Sequence, residues 1–160
     1  MKHVILAISL LAFVSCKDRN NKEKTIEKDG IETTEIHQKE EIKNLSDNSW
    51  IKEIKTNNGS KWKANTATND GVQQMEKSIE TQTTNTLEDY YALAKQLSDD
   101  KDFVLKNCTM KGASHDNLHV WLLPLMGKIE ALSEAKTLED ASKLKQSIVK
   151  NVNEYTNYFE

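Results

Sequence analysis

Cysteine is nearly missing from this chain: there are two, at positions 16 and 108. They form no Cys-x-x-Cys-His run, which excludes covalent haem attachment. One proline and five glycines leave no glycine-rich loop of the kind that cradles phosphates. No alternating apolar and polar run follows residue 66, so the sequence offers no half-buried strand there. Basic residues number 22 against 25 acidic ones, for a net charge of −3. There is no basic block, which argues against nucleic acid as a partner. Nor does the chain present a catalytic constellation. Cys108, His115 and Asp116 have the residue types of a nucleophile, base and orienter, but residues 115 and 116 are adjacent and diverge by about 100° on a helix. The protein reads as a non-enzyme.

What is present begins with an address. "MKHVILAISLLAFVSC" has a basic start at Lys2, an apolar run from Val4 to Val14, and the small Ser15 before Cys16. This is the layout of a secretory signal over residues 1–15, too short to span a bilayer comfortably. The ending "FVSC" resembles the lipobox of bacterial envelope lipoproteins, with Phe13 where that family usually has Leu. The resemblance implies that Cys16 is acylated and becomes the first mature residue. Acyl chains on Cys16 would hold the protein at a membrane without a transmembrane helix, at about 0.8 kcal/mol per buried methylene. The location implied is the cell envelope, at the outer membrane, facing either the periplasm or the surface.

Residues 17–49 are dominated by Lys, Glu, Asp and Asn and contain no aromatic residue. Such a stretch buries too little apolar area to offset the entropy of ordering it. Residues 16–49 therefore read as the lipidated cysteine and a disordered tether, with His37 as tail filler. Residues 50–65 form a lead-in, in which Trp50, Ile51 and Ile54 lie against the domain as a short helix or strand. Asn-Asn-Gly-Ser at 57–60 marks a turn, and Trp62 marks the start of the folded part.

From residue 66 to 160 the pattern is helical. Asp70 with Gln73 caps a first helix carrying Val72, Met75 and Ile79. "TLED" at 86–89 puts Thr86 at the N-cap of a second, with Asp89 three residues on and acids at the positive end of the helix dipole. Leu87, Tyr90, Ala94, Leu97, Val104 and Cys108 follow at three-four spacing, interrupted at Lys101. Ser114 caps a third helix bearing Leu118, Leu122, Leu125, Ile129 and Leu132, with Pro124 inside it as a source of a kink. A second "TLED", at 137–140, opens a fourth helix with Ala141, Leu144, Ile148, Val152, Tyr155 and Phe159. Because the residues after the two tetrapeptides diverge at once, shared capping chemistry explains the repeat better than duplication does. The expected fold is an all-α four-helix up-down-up-down bundle preceded by a disordered tether.

Chemistry concentrates in "CTMKGASHDNLH", residues 108–119. His115 and His119 are four apart, so on a helix their imidazoles project from one face, the spacing by which two rings grip one metal ion. Cys108 and Met110 lie on the preceding segment, and together the four residues form a soft donor set. That set suits Cu(I), which accepts thioether; zinc fits only without the methionine. Haem ligation by histidine and methionine from facing helices is a lesser alternative. Met75 and Met126, at helical spacing, read as packing residues before they read as donors. Without metal, Cys108 is a buried small residue and the histidines are a turn residue and a surface residue. If Cys16 is acylated, however, Cys108 has no intramolecular disulfide partner in an envelope protein.

Beyond the signal, Trp62, Ala64 and Asn65 in "W-x-A-N" and Cys108 to His119 in "C-x-M-K-G-x-x-H-D-x-L-H" resemble small helical lipoproteins of bacterial envelopes over residues 62–160. That resemblance implies a shared fold and a shared site, with no activity attached. Two functional readings follow. The first is an anchored protein that binds copper for handling or sensing. The second is a metal-free interaction module that docks another envelope protein through Trp50, Trp62, Trp121 and the tyrosines.

Overall fold

The computed structural model describes residues 40 and 42–160. The signal segment, Cys16, His37 and the tether up to residue 39 lie outside the described residues. The described chain is an all-α bundle of four long helices: α1 (Thr66–Thr81), α2 (Leu87–Asn107), α3 (Ala113–Glu134) and α4 (Leu138–Tyr158). A short 3-10 helix, Ser49–Lys52, precedes them. Each long helix packs on the next and α1 closes against α4. Successive helices run in opposite directions, since the start of α1 meets the end of α2, the start of α2 the end of α3, and the first half of α3 the second half of α4. No described helix is long and apolar enough to cross a membrane.

Two of the helix starts follow their local sequence. Thr86 accepts the amide of Asp89, and the Asp89 carboxylate accepts the amides of Thr86 and Asn85, closing a capping box. Those amide bonds hold the Asp89 carboxyl below its ordinary range. Thr137 accepts the amide of Asp140 in the same way.

The other two starts differ from expectation. α1 begins at Thr66 after Asn65, leaving Asp70 exposed inside the helix. Asn65 wins because its side chain is held in place from outside the helix: it donates to the Asn107 carbonyl at 3.1 Å and accepts the Thr109 amide at 3.2 Å. α3 begins one residue before Ser114, after Gly112 at φ 62° and ψ −147°. Ser114 turns its hydroxyl back to the Lys111 carbonyl at 3.1 Å instead of capping. α3 also continues through Pro124 to Glu134.

The core follows the inward stripe of each helix. Met75, Leu93, Leu97, Trp121, Leu125, Leu132, Leu144 and Ile148 are fully buried, each burial contributing about 1.5–3 kcal/mol. The charged run at 98–102 leaves α2 unbroken, and Asp100, not Lys101, occupies the inward position. Asp100 accepts from Ser78 Oγ at 2.7 Å and Gln96 Nε2 at 3.0 Å, so the buried carboxylate is hydrogen-bonded. Lys101 pairs with Asp102.

The lead-in is tied to the bundle at several points. Asn58 and Gly59, at φ 52° and 88°, form the expected turn. Trp62 makes a single parallel bridge to Phe159: its amide donates to the Tyr158 carbonyl at 2.7 Å and its carbonyl accepts from Glu160 at 2.9 Å. The Lys55 amide donates to Asn117 on α3 at 2.8 Å. The expected disordered tether over residues 16–49 ends earlier than residue 49: residues 42–45 are helical, Ile42 is buried, Leu45 lies against the core, and Asn48 bonds Ser147 and Lys128, because these few apolar and polar side chains find partners on the bundle.

Candidate functional site

The α2–α3 connection carries the four proposed donors. Cys108 is the residue after α2, its amide closing the helix on the Val104 carbonyl at 2.9 Å. It is half-buried and packs against the core, as does Met110. Asn65 bonds the backbone on both sides of Cys108, so the "W-x-A-N" and "C-x-M-K-G" stretches meet in space. His115 and His119 lie one turn apart on α3, with ring centroids 4.4 Å apart and planes tilted by 54°. His115 is half-buried and His119 exposed.

The structure brings the two imidazoles together, and the Cys108 thiol is half-buried against the core. Burial first, and then an electrostatic contribution from Cys108, pushes the Tyr155 hydroxyl on α4 above its ordinary range. Tyr155 donates to Asn69 at 2.7 Å and sits edge-on to Trp121 at 4.9 Å. Among the described residues, no three side chains of the His, Cys, Asp and Glu types are grouped to hold one metal ion. The arrangement therefore supplies two nitrogens from one helix face, with half-buried sulfur at the far end of the loop. Met75 is core, and Met126 is half-buried against it.

The aromatic docking surface needs correction. Trp50 and Trp121 are buried, Trp121 completely, and Trp62 is half-buried against the core. Their indole N–H groups are also satisfied internally. Trp50 donates to Asn48, Trp62 to the Lys55 carbonyl and Trp121 to the Asn151 carbonyl. These rings are structural because each combines a large apolar body with a single donor that finds a partner inside the fold.

A second polar centre carries no histidine or cysteine. Lys128, 0% exposed on α3, donates to Asn48 at 2.5 Å and to Asn151 at 2.7 Å. Asn48 also donates to Ser147, and Ser147 to the Ser46 carbonyl. Asn151 donates to the Trp121 carbonyl, returning the bond from the indole. Burial lowers the Lys128 pKa to about 8, against a rise from Asp47 and with a further lowering from Lys150. The position was detectable in sequence: residue 128 lies three after Leu125 and four before Leu132, on the inward register. Asp100 and Asn151 likewise occupy inward positions. A polar residue in an apolar series reads as an interruption unless its partners, distant in sequence, are known.

No protein-family profile, curated protein or solved structure matches this chain.

Proposed function

We propose that the protein is a lipid-anchored, non-enzymatic component of the bacterial cell envelope that binds a soft metal ion, copper by preference, for handling or sensing. The observation carrying this reading is the imidazole pair on α3: two rings 4.4 Å apart, one exposed and one half-buried. Two nitrogens at i and i+4 suit cuprous ion, which tolerates low coordination and takes sulfur as a further donor. Cys108 and Met110 are the sulfurs nearest in sequence, and the loop between Asn107 and Ala113 is where they would move to join. The lipobox-like ending "FVSC" at Cys16 supports the envelope assignment.

The test is a Cu(I) titration of the full chain, purified without an affinity histidine tag, against a chromophoric chelator. The wild type takes up about one copper per chain, and His115→Ala with His119→Ala weakens uptake by well over tenfold. Cys108→Ser and Met110→Leu then report whether sulfur joins. Equal uptake by the double histidine variant removes the site.

A second reading, docking of another envelope protein, is favoured by Leu123, which is 57% exposed one turn beyond His119 on the same helix face. Under it, Leu123→Ser abolishes capture of a partner from envelope extracts and copper leaves capture unchanged.

A further inference from the structure

Residues 42–48 lie against α3 and α4 as a short strap. Residues 42–45 are helical, and the Ser46 amide donates to the Ile42 carbonyl at 2.8 Å. Among the described residues, no backbone-to-backbone hydrogen bond joins this stretch to the four long helices. Side chains fasten it instead. Ile42 is buried, and Leu45 lies so close to Gly127 that a Cβ there would stand 3.3 Å from Leu45 Cδ2. Asn48 donates to Ser147 and accepts from Lys128, and the Ser147 hydroxyl donates to the Ser46 carbonyl. The chain just beyond is seated more firmly. Trp50 is buried, edge-on to Tyr158 at 6.3 Å, and the Lys55 amide donates to Asn117.

Two groups oppose the docked position. The Ser46 hydroxyl is buried with no hydrogen-bond partner among the described residues, which leaves its desolvation uncompensated. Lys128 is a fully buried cation whose acceptors, Asn48 and Asn151, are both neutral. Burial is the largest influence on its ammonium; Asp47 on the strap favours the charge and Lys150 on α4 opposes it.

We propose that residues 42–48 detach from α3 and α4 as a unit, turning about Ser49–Lys52 while the four helices stay folded, and so admit water to the Lys128 ammonium and the Ser46 hydroxyl. Local openings of this kind involve elements with few buried apolar contacts. Opening takes the lysine from about 8 toward its ordinary value of about 10.4. The open form holds the proton more tightly, so docking strengthens as pH rises through this interval. On the reading that Cys16 anchors the chain, release adds roughly 25 Å of extended backbone between membrane and bundle; the opening itself does not depend on anchoring.

The experiment is native-state thiol labelling of the full chain carrying Cys16→Ser and Cys108→Ser. One probe is added at a time: Ile42→Cys under the strap, or Val104→Cys in the core of α2. Rates are taken where they scale with reagent, and are divided by those of an unstructured cysteine peptide at the same pH, which removes the titration of the thiol itself. At pH 7.5 residue 42 should react at least about tenfold faster than residue 104. Its protection should grow by about tenfold or more between pH 7.5 and 9.5. Tyr158, raised by burial and then by Glu154, titrates above that window. Lys128→Met should remove the pH dependence, and Ser46→Ala should raise protection at residue 42. Thr86→Ala, which weakens only the α2 cap, should lower protection at residue 104 by about fivefold and leave residue 42 unchanged. Circular dichroism checks that each variant keeps the fold. Equal protection at residues 42 and 104, equal loss at both in Thr86→Ala, or a pH dependence that survives Lys128→Met overturns the strap.

Discussion

Lys128 brings a positive charge to a place where only neutral side chains hydrogen-bond it. Desolvation of the ammonium is offset by two amide oxygens, yet its pKa still falls to about 8. The unfolded lysine titrates near its ordinary value, about 10.4, so between these pH values the unfolded state binds more protons and stability rises with pH. Tyr155 acts in the opposite sense: its folded pKa is raised, and stability is lost as pH climbs past the unfolded tyrosine value of about 10. Denaturant unfolding of the wild type should therefore show stability growing by about 2–3 kcal/mol from pH 8 to 10 and falling beyond. Lys128→Met should flatten the rise. A wild-type profile that is level over this window contradicts the account of this residue. Asn151→Ala should cost about 2–3 kcal/mol at neutral pH, since it strips Lys128 of one acceptor and Trp121 of a side-chain donor; thermal melts check this.

Each helix depends on features a few residues long, and these differ in how far they could be read from sequence. Thr86 and Thr137 cap as expected because the partner amide lies three residues away and no distant group intervenes. Thr86→Ala should cost about 1 kcal/mol by loss of the cap, measured as a shift in denaturation midpoint at constant slope. Asn65 and Gly112 were not identifiable as helix starts. The first is selected by bonds to residues more than forty positions away, and the second by a backbone angle. Gly71 is a further case. A Cβ there would run into Val104 Cγ2 and press on Phe103 of α2, so α1 and α2 sit as close as they do because residue 71 has no side chain. Val104 is buried and β-branched, with little freedom to yield. Gly71→Ala should destabilise the protein by about 1–3 kcal/mol through overpacking, outweighing the alanine's better helix propensity of about 1 kcal/mol. An increase in melting temperature would contradict the close packing.

At the scale of the molecule, apolar periodicity alone was enough to anticipate four helices in an up-down-up-down bundle, because three-four spacing determines which face turns inward. It could not show how the lead-in and the residues just before it belong to that bundle. Asn48 and Trp50 complete the Lys128 network, and Trp62 bridges the end of α4; all are polar or single-residue contacts with no periodic signature. The candidate site was legible to the same partial degree. Helical spacing was sufficient to pair His115 with His119. The position of Cys108 depended on loop geometry, and the structure leaves that thiol half-buried against the core.

The central functional claim is that copper is taken up by the α3 imidazoles. X-ray absorption at the copper edge of the loaded full chain tests it most directly. The account predicts imidazole scattering in the wild type that disappears in His115→Ala/His119→Ala. A spectrum identical in both proteins, or a wild type that retains no copper after desalting, would contradict it.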